Sequence, residues 1–221
     1  MNLIRDDKTT QKKRQVNLSR RIALVGVYAA LVLVAAYVLV YIPNVELVTC
    51  LLFVGGYCFG IITGSFIAVV VSVIFSNFNP LGSTLAAFPL LFVFQIIFYL
   101  CIAILGGVIG QMRHRQQFTI SPKTAVTLGL LGFCITLAFD IGSTFAMYLP
   151  ITDGNWIAVW SYWVAGIVFT ILHLAFNPLV FAFLLPVVAN AIIQNYGISF
   201  DHYKTSSRIL EKGDIPNSIA L

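Results

Sequence analysis

Asp140 is the one acidic residue that lies deep inside a long apolar run of this 221-residue chain. A carboxylate held there is costly unless it is paired, solvated in a cavity or protonated, which makes it a functional candidate by default. Thr136 and Thr144 lie four residues to either side, on the same helical face, with Ser143 adjacent. The set can bind a ligand, or it can join two helices by hydrogen bonds. His173 and Asn177, in the last apolar run, form a second polar pair four residues apart. A neutral imidazole and an amide together donate and accept several hydrogen bonds, as recognition of a heterocycle or amide requires. The plainer alternative is that Asn177 repairs the backbone bond lost at Pro178 while His173 bonds a neighbouring carbonyl. Trp156, Trp160 and Trp163 recur at i, i+4 and i+7 beside Tyr162. They read as an interfacial belt, from which one ring, Trp160, can turn inward as a stacking wall. Glu46 follows Pro43-Asn44 and shares its rim with only one other acid, Asp153. It suits a helix start or a ligand contact equally.

Other chemistries lack their residues. No His, Cys, Asp and Glu set has metal-ligand spacing, so neither a metal nor a cofactor is expected. Cys50, Cys58, Cys101 and Cys134 all sit inside apolar runs without CxxC spacing and read as small core residues. There is no GxxxxGK[ST] phosphate loop, so the chain cannot drive transport with ATP by itself. Phe169-x-x-x-His173 and His173-x-x-x-Asn177 match two motifs of the CAAX-type membrane proteases. The Glu-Glu pair that supplies the base in that family is absent, and so is the GxSG motif of rhomboid proteases.

The elements that must position these residues are membrane helices. Hydrophobic residues make up 59% of the chain, charged residues 10%, and mean hydropathy is +0.94, which excludes a water-soluble core. The thirteen Lys and Arg residues fall in three groups, at positions 5–21, 113–123 and 204–212. The loops around Pro43-Asn44, Phe78-Asn79-Pro80 and Asp153-Gly154-Asn155 carry none. By the positive-inside rule the basic groups are cytoplasmic, which places both termini inside and requires an even number of crossings. The expected fold is an all-α integral membrane protein of the cell membrane, a bundle of six transmembrane helices. The net charge of +5 reads as topology and attraction to anionic lipid, with no nucleic-acid role.

Residues 1–19 read as a disordered or surface-lying basic tail, 20–196 as one six-helix domain, and 197–221 as a polar tail. Helix one is expected over 22–41. Residues 46–78 suffice for two short spans if the turn between them is tight, and Gly55, Gly56, Gly60 and Gly64 place that turn near 60–64. Helix four is expected over 86–111, helix five over 124–149 and helix six over 158–195. The last is too long for one straight span, and should bend near Asn177-Pro178 or Pro186 or run beyond the bilayer. On helix one, Ala23, Gly26 and Ala30 form a smooth stripe that admits another helix, from within the bundle or from a partner subunit.

In these features the chain resembles the substrate-binding S component of energy-coupling factor (ECF) vitamin transporters. The likeness covers residues 20–196. It rests on size, helix number, Gly26-x-x-x-Ala30, Pro43-Asn44-Val45-Glu46-Leu47, the glycine-rich hairpin, Phe78-Asn79-Pro80 and His173-x-x-x-Asn177-Pro178. It implies a pocket opening outward, capped by residues 42–47, that captures a vitamin or related micronutrient. Asn44, Glu46, Asn79, Asp140, Thr144, Trp160, His173 and Asn177 are its candidate contacts. It also implies that Ala23, Gly26 and Ala30 dock onto a transmembrane T component coupled to two ABC ATPases. Gly26 stands where many members carry Ala, a departure that keeps the surface smooth. A structural or assembly membrane protein is the remaining reading, and it needs only the helix packing. For the ligand, a lone deep acid with His and Asn, many aromatics and no outer Lys or Arg favour a compact heterocycle, neutral or weakly cationic, over a polyanion.

Overall fold

The computed structural model describes residues 3–42 and 45–196. Helix α1 spans Leu3–Leu39, so the backbone of the basic opening segment is helical and continuous with the apolar stretch that begins at Ile22. The helix ends at Leu39 and the chain turns at Val40–Tyr41; the non-helical Val45–Leu47 then lead into α2, Val48–Phe59. One residue, Gly60, separates α2 from α3, Ile61–Asn77. Its φ of 90° lies where side chains are strained, which is why glycine turns the chain here. The expected hairpin turn is thus present, at the first residue of the interval 60–64.

Side-chain caps and prolines set several of the remaining boundaries. Asn79 accepts from the Leu81 amide in the turn after α3 (2.8 Å), and Ser83 caps the single-turn α4, Thr84–Ala87. Proline opens both α5, Pro89–Met112, and α6, Pro122–Tyr148, where its missing N–H costs nothing. Ser121 caps α6 through the Thr124 amide, 3.2 Å. Asn155 caps α7, Trp156–Ala165, by accepting from the amides of Ile157 and Ala158. The expected single helix six is interrupted twice. It breaks at Gly166 before α8, Ile167–Leu179, and passes through a π-helical turn, Val180–Leu184, into α9, Leu185–Tyr196. Pro178 has no N–H for the helical ladder, and the wider π turn directly follows it. The break at Gly166 has no counterpart in the sequence expectation.

All twelve residues of α2 are buried, and α1, α3, α5, the π-helical turn and α9 pack around it. A helix apolar on every side belongs at the centre of a bundle. Its closest neighbour is α5, where glycines bring the backbones together: a Cβ on Gly106 would collide with the Phe53 carbonyl, and one on Gly56 with the Ala103 carbonyl. Tyr28 reaches in from α1 and donates to the Leu51 carbonyl (2.5 Å), while Phe53, Ile67, Val71 and Phe181 fill the remaining core. Cys50 and Cys58 are core residues as expected. Cys101 and Cys134 face outward instead, where an apolar environment would solvate them equally well.

The exterior is apolar and the interior partly polar. Val27, Leu31, Phe66, Val93, Leu130 and Val168 point outward, whereas Thr49, Ser72, Ser76, Thr136, His173 and Asn177 are buried. That inversion suits lipid and would be an aggregation hazard in water. Among the described residues, four helices are long and apolar enough to cross a membrane: Ile22–Leu39 of α1, α5, α6, and the continuous run Ile167–Asn195. At 12 and 17 residues, α2 and α3 reach only about 18 and 26 Å, against a hydrocarbon layer of about 30 Å.

Candidate functional site

Four helices bring polar side chains to one point beside the start of α2. The non-helical residues Val45–Leu47 lead into α2, so Glu46 and Thr49 stand together at its first turn, and the Thr49 hydroxyl donates to Glu46 Oε1 (2.9 Å). From α5, the Tyr99 phenol faces the same carboxylate. From α6 come Thr136 and Asp140, one helical turn apart, and from α8 His173 and Asn177 with the same spacing. His173 Nδ1 lies 2.7 Å from Asp140 Oδ1, and its Nε2 points toward Glu46 Oε1 at 3.9 Å. The first contact is a hydrogen bond and the second is too long to be one. Asn177 Nδ2 donates to Thr136 Oγ1 (2.7 Å) and to Thr49 Oγ1 (3.3 Å).

The hydroxyl protons fix which way Asn177 faces. Thr136 spends its proton on the Gly132 carbonyl (2.7 Å) and Thr49 spends its own on Glu46. Each threonine therefore has only lone pairs to offer, so the amide nitrogen must face both of them. The amide oxygen faces elsewhere and has no partner. Asp140 Oδ2 and His173 Nε2 are likewise buried without a partner. The cluster thus presents two unused acceptors and one imidazole nitrogen, although natural proteins leave few such atoms bare. A buried donor without a partner occurs at Trp163 Nε1 on α7.

Aromatic rings support the cluster from α5 and α6. Phe139 stacks on Tyr99 (5.9 Å, 13°) and meets His173 edge-on (6.2 Å, 89°), which orients the imidazole toward Asp140. Comparison with protein-family models, curated proteins and solved structures finds no match. The geometry and the sequence therefore carry the functional argument.

Of the residues singled out in the sequence, Glu46, Thr136, Asp140, His173 and Asn177 meet in this cluster. Thr144 does not join by its side chain, because its hydroxyl donates back to the Asp140 carbonyl, 2.7 Å. Asn79 lines a separate, open depression of about 570 Å³ walled by Leu81, Ser83, Phe88, Leu91 and Met147, which includes no residue of the polar cluster. Trp160 is 44% exposed, with its ring against Phe145 and Trp163. Asn44 lies outside the described residues. Two members, Thr49 and Tyr99, went unnoticed in the sequence. Thr49 carries a faint signal, standing three residues after Glu46 at a helix start, whereas Tyr99 is one tyrosine among nine and carries none.

Proposed function

We propose that the chain is the substrate-binding membrane subunit of an ECF-type importer, which captures a vitamin-like small molecule and passes it inward with a T component and two ABC ATPases. The observation that carries this reading is the buried cluster, in which Glu46, Asp140, His173 and Asn177 come from three separate elements and leave polar atoms without partners. Helix packing alone does not call for such atoms, whereas ligand recognition does. The α1 stripe supports it too. Ala23, Gly26 and Ala30 are exposed, and nothing lies within 4 Å of where a Gly26 Cβ would be, so the smooth face is turned away from the bundle and open to a partner subunit. In this proposal the bundle crosses the cell membrane six times, α2 and α3 being the two short crossings. Both termini and the Arg113–Lys123 loop are cytoplasmic, and Glu46 is at the outer rim.

Native mass spectrometry of the purified protein, without added ligand, tests the reading. The expected result is a discrete adduct whose mass identifies a micronutrient or precursor and which disappears in Asp140→Ala. If no compound of a vitamin panel binds, and Asp140→Ala and His173→Ala behave as wild type, the chain is an assembly protein and the proposal falls.

A further inference from the structure

We infer that the Glu46–His173–Asp140–Asn177 cluster takes a small organic cation bearing at least two N–H donors, such as an amidinium or an amino-substituted protonated heterocycle. The inference rests on the binding-subunit reading and narrows its ligand to one charge class.

The hydrogen-bond inventory points to this class. Among the described residues of the cluster, Thr49 donates to Glu46, Thr136 to the Gly132 carbonyl and the Asn177 amide to the two threonines, while the Tyr99 phenol faces Glu46. What is left for a ligand is acceptor capacity at Asp140 Oδ2 and Asn177 Oδ1. An incoming group meets lone pairs there and must supply the hydrogens. The His173 side chain is 4% exposed and Asn177 is 1% exposed, so bulk water is a poor substitute.

Charge agrees with this. Two carboxylates face one imidazole, and both ion pairs found among the described residues use that same histidine. Even as imidazolium, His173 balances only one of them. Arg113 and Arg115 belong to the loop after α5, which packs at the other end of α2 against Tyr57, and Lys123 stands in the first turn of α6 that follows it. The cluster therefore retains a negative charge inside an apolar bundle, a costly arrangement that one ligand positive charge neutralises. An anion would add to the imbalance and find acceptors where it needs donors. Glu46 offers the way in, since it stands on the short non-helical connection before α2 and its side chain is 21% exposed.

Three isosteric probes separate the charge classes: benzamidine, benzamide and benzoate, titrated into the full-length protein in nanodiscs. Thermal shift and Trp fluorescence serve as readouts, with a sodium chloride titration in parallel. Benzamidine should raise Tm and bind, benzamide should bind more weakly, and benzoate should not bind. Asp140→Asn, which keeps shape but removes the charge, should weaken benzamidine about ten-fold or more. Thr152→Ala, remote from the cluster, should leave it unchanged and serves as the folding control. Equal or tighter binding of benzoate, indifference to Asp140→Asn, or the same stabilisation by sodium alone would each overturn the inference. An anionic or neutral compound found bound by native mass spectrometry would also overturn it, while leaving the binding-subunit reading intact. Failure of every probe and every panel compound would remove both.

Discussion

Asn177 joins three helices through one amide, because its nitrogen reaches Thr49 on α2 and Thr136 on α6 from its own position on α8. Replacing it with leucine should cost about 1–3 kcal/mol, since both threonine hydroxyls lose a buried donor. Asn177→Asp should cost more. A carboxylate cannot donate to either threonine, and it adds a third negative charge to a cluster that already holds two. Thermal unfolding of purified variants checks the order wild type, then Leu, then Asp. At this scale the sequence was legible wherever burial and polarity conflicted. Asp140, His173 and Asn177 stand out because each is expensive in an apolar run. Thr49 and Tyr99 are cheap there, and only folding reveals that their hydroxyls face Glu46.

Between elements, the closest packing depends on absent side chains. Gly56 on α2 and Gly106 and Gly110 on α5 let the two backbones touch, and a Cβ at any of the three meets a carbonyl of the facing helix. Glycine to alanine inside a helix ordinarily stabilises by about 0.5–1 kcal/mol. At Gly106 the sign should reverse, with a loss of about 1–3 kcal/mol from overpacking against backbone that cannot yield. Gly26→Ala, facing open space, should be neutral or slightly stabilising. Melting temperatures in one detergent distinguish the two glycines. Helix positions were legible from hydropathy, to within a few residues for the spans expected over 86–111 and 124–149. The division of the last helix was less so. Pro178 announces a disturbance, but whether the chain kinks, breaks or widens into a π turn depends on how the residues after it pack against α6. Hydropathy also cannot tell a lipid-facing apolar helix from a buried one, which is why the central place of α2 emerges only from the packing.

For the whole molecule, the question is how many times the chain crosses. Among the described residues, four long apolar helices and one hairpin of shorter ones give an even count whether or not the hairpin reaches the far side, so parity alone cannot separate six crossings from four. The hairpin tip is the informative point. The Arg115 guanidinium stands against Gly60, and Tyr57 donates to the Gln116 carbonyl (2.5 Å), so the tip lies level with the basic loop after α5. If that loop is in water, the tip should be too. The four native cysteines lie within apolar helices, which keeps background labelling low for a membrane-impermeant thiol reagent. Ile42→Cys and Ile151→Cys should label in intact cells, whereas Thr119→Cys and Ile62→Cys should label only after lysis. All four parent residues are exposed in the structure. An unlabelled Ile62→Cys beside a labelled Thr119→Cys would mean that the hairpin ends inside the apolar layer, leaving four full crossings. Labelling of Thr119→Cys but not Ile151→Cys in intact cells would invert the molecule. Glu46 would then face the cytoplasm, and uptake from outside could not begin at this cluster.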